Sequence, residues 1–196
     1  MQVLLHRLAP YLSPAELQAF CGAAELRELA RRDRLRQEGA GAQRVGLIVA
    51  GILRAYYETA DGVVSPTLIL RVEGDSFGVP RSLTAVPHPG RTYVYEAVEA
   101  ATVLAIDFGV LVALGRDHPG LQRLLLDNVL ANVMALLSRV EGLLSLKPAE
   151  RYDYLVERRP ELLARVPRKY VAEYLGITPV SLSRISARRL GGRARN

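Results

Sequence analysis

Three polar side chains near the C-terminus recur at helical spacing, in a pattern suited to contacting DNA. Ser181, Arg184 and Arg188 are separated by steps of three and four residues and therefore share one side of a helix. Leu182 and Ile185 fall on another side, as expected for a helix that buries one face. An arginine can donate two parallel hydrogen bonds to a guanine edge in the major groove, worth about 1–3 kcal/mol of discrimination. Arg184 is therefore the candidate for reading a base.

The segment before that helix predicts how it is positioned. Ala172 and Leu175 lie at helical spacing, and Gly176 is the kind of residue that ends a helix. Thr178 can cap a second helix, and Pro179 suits its first turn because no N–H partner is lost there. Two helices joined by so short a turn predict a helix-turn-helix, whose second helix lies in the major groove. The alternative is a helical hairpin that only completes a core, but the cationic outward face favours DNA.

Basic and hydroxyl side chains around this unit are expected to bind DNA together with Arg184. The other basic residues of the set, Arg168, Lys169, Arg188 and Arg189, are expected to contact phosphates. Such contacts position a protein on DNA without reading its sequence. Thr178 is expected mainly to cap its helix. The predicted DNA-binding set is Arg168, Lys169, Thr178, Ser181, Ser183, Arg184, Arg188 and Arg189.

The positive charge of the chain is concentrated in its last quarter. From Lys147 onward there are twelve Lys and Arg against five Asp and Glu, whereas residues 1–146 carry fourteen against fifteen. The whole net charge of +6 therefore comes from the segment that contains the predicted helix-turn-helix. A basic DNA-binding module predicts an affinity that falls steeply with salt.

The composition excludes several other classes of protein. With 49% apolar and 23% charged residues, 196 residues can form one good core and a smaller second one. The single cysteine, Cys21, excludes a disulfide framework and a four-cysteine iron–sulfur cluster. His6, His88 and His118 are scattered, and no catalytic set is apparent, so neither a metal site nor an enzyme is expected. The N-terminus does not resemble a secretory signal, which predicts a cytoplasmic protein.

Residues 35–106 are predicted to form a closed or rolled antiparallel sheet. Glycines recur between short β-rich runs, and Asp61-Gly62 is a strong hairpin signal. Asp107 is expected to cap the helix that follows. The predicted strand runs are VGLIVAG, ILRAYY, VVSPTLIL, TYVYEAV and TVLAI.

The first thirty residues are predicted to be helical. Residues 3–32 read as short helices, with a capped start at Ser13-Pro14-Ala15-Glu16. Leu17, Phe20 and Leu26 are expected to face a core.

A long helix over residues 119–146 is apolar over more of its circumference than one domain face requires. Its polar residues, among them Asp127 and Glu141, argue against a membrane span. We expect one side to pack on its own sheet and the other on a second copy of the chain. A parallel pair would place two helix-turn-helix units in consecutive major grooves, about 34 Å apart. The predicted dimer contacts are Leu124, Asn128, Asn132, Leu136, Arg139 and Leu143.

With these parts in order, the chain resembles the Crp/Fnr family of bacterial transcription regulators over nearly its whole length. The resemblance lies in LRQEGAGAQRVGLIVAGILRAYYETADGVV and, more specifically, in LKPAERYDYLVERRPELLARVPRKYVAEYLGITPVSLSRI. It implies an α+β fold: an antiparallel, jelly-roll-like β-roll sensor domain with flanking helices over residues 1–118, a dimerisation helix over 119–146 and a winged helix-turn-helix over 147–196. It also implies a homodimer that binds palindromic promoter sites and contacts RNA polymerase. Arg184 matches the family's guanine-reading arginine.

The resemblance is weaker in the effector pocket. It implies a phosphate-binding cassette at Gly78, Val79, Arg91 and Thr92, with Arg91 and Thr92 facing a cyclic phosphate. Val79 stands where the family's cyclic-AMP-binding members have a ribose-holding glutamate, and a valine cannot accept that hydrogen bond. Loss of cyclic AMP affinity is therefore expected, together with regulation that needs no cofactor. The alternative is a cyclic-nucleotide receptor whose C-terminal module binds a protein partner.

Overall fold

The computed structural model describes residues 6–37, 44–78 and 90–193. Its strands are β1 (Glu25–Leu29), β2 (Arg34–Gln37), β3 (Arg44–Ala50), β4 (Leu53–Thr59), β5 (Ile69–Arg71), β6 (Ser76–Phe77), β7 (Arg91–Ala97) and β8 (Ala101–Asp107). Its helices are α1 (Pro14–Ala23), α2 (Phe108–Asp117), α3 (Pro119–Ser145), α4 (Pro148–Arg158), α5 (Pro160–Arg165), α6 (Arg168–Leu175) and α7 (Pro179–Arg193).

The strands form two four-stranded antiparallel sheets that face each other. One has the order β1-β8-β3-β6 and the other the order β2-β7-β4-β5. Buried side chains from both sheets, such as Ile48, Leu53 and Val103, fill the space between them. The sequence-based prediction of an antiparallel roll is therefore confirmed.

Two predictions about local structure in the roll differ from what is observed. Residues 25–29 form strand β1 instead of continuing the N-terminal helix, and Leu26 is consequently exposed, not buried. The predicted run VVSPTLIL contains only a bridge at Val64 and the three-residue strand β5. Pro66 interrupts this run because it has no N–H to donate to a neighbouring strand.

The predicted helix starts are confirmed by their capping bonds. Ser13 accepts a hydrogen bond from the amide of Glu16, whose carboxylate accepts one in return from the amide of Ser13. Asp107 accepts hydrogen bonds from the amides of Gly109 and Val110 at 2.8 and 3.2 Å. These caps fix α1 and α2 against the outer side of the first sheet, where Phe20 and Leu111 are buried with Leu121 at the start of α3.

The C-terminal helices share a core with the roll. Leu162, Val166 and other apolar residues of α4–α7 are buried together with Ile52, Leu70 and Val98, which lie on or beside strands of the roll. The segment PELLARVP contains the short helix α5.

Candidate nucleic-acid interface

The turn between α6 and α7 has the geometry of a helix-turn-helix. Gly176 adopts φ +67°, in the left-handed region that glycine enters without steric cost. Its amide bonds the carbonyl of Glu173 and that of Ile177 bonds Ala172, both at 3.0 Å, which together form a Schellman motif. Thr178 Oγ1 then accepts a hydrogen bond from the amide of Ser181 at 3.1 Å, so it caps α7 as predicted.

The two arginines of the α7 face point into solvent. Arg184 and Arg188 are exposed, and neither forms a salt bridge within the described part of the chain. Ser183 is exposed and Ser181 half-buried, whereas Leu182 is 2% exposed in the core below. The helix therefore presents unpaired guanidiniums outward, as contact with bases and phosphates requires.

The remaining members of the predicted set have partners within the protein. Arg168 donates to Ser186 Oγ at 2.8 Å. Arg189 forms a salt bridge with Asp153. Lys169 lies 4.0 Å from Glu173, but its side chain is 74% exposed, which leaves its ammonium group accessible.

The end of α7 differs from the predicted winged helix-turn-helix. Gly191 and Gly192 continue α7 to Arg193. Among residues 168–193 the structure describes helices and turns and no strand, so no wing follows α7 within the described chain.

One side of α3 carries a stripe of exposed apolar residues. Its six members, separated alternately by four and three residues, are between 46% and 82% exposed. This is the heptad spacing with which two helices pack side by side. We call this the heptad stripe; its members are Leu126, Leu130, Val133, Leu137, Val140 and Leu144.

Most of the side chains predicted for the dimer interface contact their own chain instead. Leu124 is buried in the core between α3 and the roll. Asn132 accepts a bond from Arg71 and donates to Ser76 Oγ at 3.1 Å, and Asn128 bonds the carbonyl of Leu124. Arg139 Nη1 donates to the carbonyl of Tyr174 at 2.6 Å.

The two other predicted dimer residues lie nearer to the heptad stripe. A Cβ added to Gly176 would lie 3.1 Å from Leu143 Cδ2, so Leu143 is next to the turn between α6 and α7. Leu136 is 45% exposed beside the stripe. By length and composition alone α3 could also cross a membrane, which for a single helix is weak evidence, and 11% of its apolar window is buried in the structure.

The interior of the roll is filled by aromatic side chains near the predicted effector residues. The rings of Tyr57 and Tyr93 lie 5.0 Å apart, those of Tyr93 and Tyr95 5.3 Å, and those of Tyr95 and Phe77 5.8 Å. Burial raises the pKa of Tyr93 well above its usual value, and that of Tyr95 in the same direction. Both phenols are therefore neutral at physiological pH.

The predicted effector residues do not form a complete site in the described chain. Gly78 has φ +93° and closely approaches Arg44, while Arg91 is exposed at the start of β7 and Thr92 is half-buried. Val79 lies outside the described residues. The described residues between α3 and the first sheet leave a cavity of about 110 Å³. Small-molecule sites are usually about 300–1000 Å³.

A buried arginine joins the roll to the C-terminal helices α4–α7. Arg54 of β4 is 7% exposed and donates to Glu96 at 2.9 Å. Its guanidinium carbon lies 4.4 Å from the ring centre of Tyr56 and 3.9 Å from that of Tyr170 in α6. Burial alone would raise the pKa of Glu96, but the hydrogen bond and charge of Arg54 hold it below its ordinary value. Burial and the bond to Glu96 raise the pKa of Tyr56 to about 12.

Two carboxylates on the turn before β6 also bind the C-terminal helices. Arg165 of α5 donates to both carboxylate oxygens of Glu73, at 3.0 and 2.6 Å, and forms a further salt bridge with Glu99. Arg159 donates to Asp75 at 3.1 Å. The hydrogen bonds from Arg165 are the main reason why the pKa of Glu73 falls to about 2.

These contacts between the two domains were not predicted from the sequence. Glu173 of α6 accepts hydrogen bonds from the amide and hydroxyl of Thr67, at 3.0 and 2.7 Å. The partners are 106 residues apart, and no periodicity links them.

Solved structures with this arrangement include several bacterial regulators. FixK2 from Bradyrhizobium japonicum matches with a TM-score of 0.69 and 19% identity, over 87% of this chain and 86% of that one. CLP, a c-di-GMP-responsive global regulator of Xanthomonas campestris, matches with a TM-score of 0.66 and 14% identity, over 92% and 93%. A protein of Eubacterium rectale, described as a transcriptional regulator of the Crp/Fnr family, matches with a TM-score of 0.64 and 13% identity, over 91% and 83%.

The chain therefore has the fold of the Crp/Fnr regulators. No protein-family model matches it, and no curated protein matches it in sequence.

Proposed function

We propose that the protein is a sequence-specific DNA-binding transcription regulator and not an enzyme. The observation that carries this proposal is the outward face of α7, where Arg184 and Arg188 are exposed and free of carboxylate partners in the described chain. The Schellman turn at Gly176 and the buried Leu182 hold this face in place. The fold shared with known regulators supports the same function.

Arg184→Ala tests the proposal in a footprinting or mobility-shift assay on sites selected from random or genomic DNA. We expect about a 5- to 150-fold loss of discrimination at one base position, because one bidentate contact is worth about 1–3 kcal/mol. Arg188→Ala should weaken binding to all sequences alike and reduce the salt dependence by about one ion. An exposed arginine far from α7, Arg31, gives the control variant Arg31→Ala. Unchanged affinity and sequence preference in Arg184→Ala would contradict the proposal.

We further propose that the active form is a parallel homodimer held by the heptad stripe. Apolar residues at heptad spacing pack best against an identical stripe on a second copy of the chain. In that arrangement the two α7 helices would face consecutive major grooves of a palindromic site, about 34 Å apart. RNA polymerase in the bacterial cytoplasm is the partner that a promoter-binding regulator of this kind requires.

The regulator is proposed to act without cyclic AMP. The aromatic filling of the roll, the exposure of Arg91 and the valine at position 79 all support this. Calorimetric titration with cyclic AMP and cyclic GMP should show no heat that depends on the roll, and tight binding that Arg91→Ala abolishes would contradict the proposal. The alternative, in which the C-terminal module binds a protein, predicts no salt-dependent binding to duplex DNA.

A further inference from the structure

A groove open to solvent lies between the second half of α3 and the DNA-binding domain. It has a volume of about 530 Å³ and is bordered by residues 135–146 of α3 and its end, by α4 and by the end of α6. This volume falls in the range of about 300–1000 Å³ that is usual for small-molecule sites. We call it the hinge groove, since its two walls belong to the dimerisation helix and to the DNA-binding domain.

The hinge groove carries an excess of positive charge. Of the described residues that line it, four are arginines and one, Glu141, is acidic. Arg159 is neutralised by Asp75 and Glu161. Arg139, Arg151 and Arg158 form no salt bridge within the described chain. Three guanidiniums without carboxylate partners beside one groove favour an anionic ligand.

Two of these arginines are held rigidly in the groove wall. Arg151 donates to the carbonyls of Leu146 and Leu175, at 2.6 and 3.0 Å. The guanidinium carbon of Arg139 lies 4.2 Å from the ring centre of Tyr174. These contacts also stabilise the ends of α3 and α6, where a cation is favourable. Each guanidinium has five N–H groups, so both keep donors for a ligand.

The third arginine stands beside an open aromatic ring. Tyr154 is 52% exposed on α4, and the guanidinium carbon of Arg158 lies 5.7 Å from its ring centre. Neither side chain caps a helix or binds a backbone carbonyl in the described chain. An accessible ring next to guanidiniums is suited to a ligand that combines a flat heterocycle with a phosphate.

We propose that the hinge groove binds a nucleoside phosphate. The arginines contact its phosphate oxygens, and the ring of Tyr154 stacks on its base. The site is separate from the roll, because Arg91 and Thr92 lie on β7 and the groove is bordered by α3, α4 and α6.

The proposed dimer leaves the arginine side of this site open. At 3.6 residues per turn, Ala135, Arg139 and Gly142 lie roughly 140–160° around the helix from Leu137 of the heptad stripe, whereas Glu141, at the edge of the groove, lies roughly 40° from it. A ligand that bridges Arg139 of α3 and Arg158 of α4 would fix the angle between the dimerisation helix and the DNA-binding domain. Its binding is therefore expected to change DNA affinity.

Calorimetric titration of the full chain with ADP tests the site, with adenosine and inorganic phosphate as separate arms. We expect ADP to bind at least tenfold more tightly than either part alone, because charge and ring contribute together. Absence of binding at millimolar ADP would overturn the proposal. If inorganic phosphate bound as tightly as ADP, the proposed stacking of the base on Tyr154 would be overturned.

Single variants then locate the binding. Arg158→Ala and Tyr154→Ala should each weaken ADP binding at least tenfold, while Tyr154→Phe, which keeps the ring, should not. Arg31→Ala, at an exposed arginine of the β1–β2 turn, is the charge-matched control. Arg91→Ala should also leave ADP binding unchanged, and a loss there would assign the ligand to the roll. The result does not depend on the Arg184→Ala assay, so this proposal and the DNA-binding proposal fail separately.

Discussion

The side chain of Arg54 is enclosed by the roll on one side and the C-terminal helices on the other. It bonds Glu96 within the roll and lies against the ring of Tyr170 in α6, and its Nη1 is 3.9 Å from Glu173. A buried charge is stabilising only if its partners are in place. Loss of Arg54 would leave Glu96 buried without its closest cation, so this residue fixes the position of one domain on the other.

The salt bridge between Glu73 and Arg165 gives a prediction about pH. Because the folded state lowers the pKa of Glu73 from 4.5 to about 2, the pair stabilises the fold above about pH 4.5. This contribution is lost as the pH falls from 4.5 towards 2. Glu73→Gln should therefore lower the free energy of unfolding at pH 7 by about 1 kcal/mol, a modest value because the pair is partly solvated. The difference from wild type should disappear near pH 2, as measured by denaturant unfolding at a series of pH values.

A carboxylate without a partner gives the control for that experiment. Glu157 is exposed on α4 and forms no salt bridge in the described chain. Glu157→Gln should match wild type over the same pH range. A constant difference between Glu73→Gln and wild type at every pH would show that the ionised carboxylate of Glu73 is not what stabilises the fold.

At the scale of single elements, the turn between α6 and α7 depends on one glycine. An alanine at Gly176 would have to hold φ at +67°, and its Cβ would approach Leu143 Cδ2 to 3.1 Å. We expect Gly176→Ala to lower the free energy of unfolding by about 1–2 kcal/mol, since the left-handed conformation costs that much for a residue with a Cβ. Thermal or urea unfolding measures the change.

Gly22 provides the matched comparison for this substitution. It lies inside α1, and no atom is within 4 Å of an added Cβ. Gly22→Ala should leave stability unchanged or raise it by up to about 1 kcal/mol, because alanine favours the helix. Equal effects of the two substitutions would mean that the turn does not depend on the backbone conformation of Gly176.

The elements that could be predicted from sequence are those with strong local signals. The caps at Ser13, Asp107 and Thr178 and the stop at Gly176 are set by neighbouring residues, and all four are observed. Strand β1 was missed because ELREL has no turn signal before it and reads equally well as helix. Its pairing with β8, some seventy-five residues later, decides the outcome through tertiary contact.

The same limit applies to the two apolar sides of α3. Its periodicity predicted two packed sides, of which the structure shows the one that packs on the roll and leaves the other exposed. The periodicity did not show which side faces the roll, because that side carries Asn128 and Asn132. Their amide groups are satisfied there by carbonyls of their own helix and, for Asn132, by Ser76 and Arg71. The outward exposure of Arg184 and Arg188 is better predicted, since the orientation of α7 follows directly from the turn before it.

At the scale of the whole molecule, the heptad stripe predicts the assembly state. Leu137→Glu places a charge in the middle of the stripe and should convert the dimer to a monomer in analytical ultracentrifugation. DNA affinity should fall by about 10²–10⁴-fold, because each half-site is then bound independently. Ala131→Glu, at an exposed position of α3 off the stripe, should remain dimeric. A dimeric Leu137→Glu variant would contradict the proposed interface.

The apolar core shared by the two domains limits how the protein can be re-engineered. Ile52, Leu70 and Val98 pack directly on Leu162 and Val166. A chimera that swaps only residues 147–196 for those of another regulator would set a foreign surface against these three side chains. A change of DNA preference by grafting therefore requires one of two designs. Either only the exposed face of α7 is replaced, or the donor segment is transplanted together with the roll residues on which it packs.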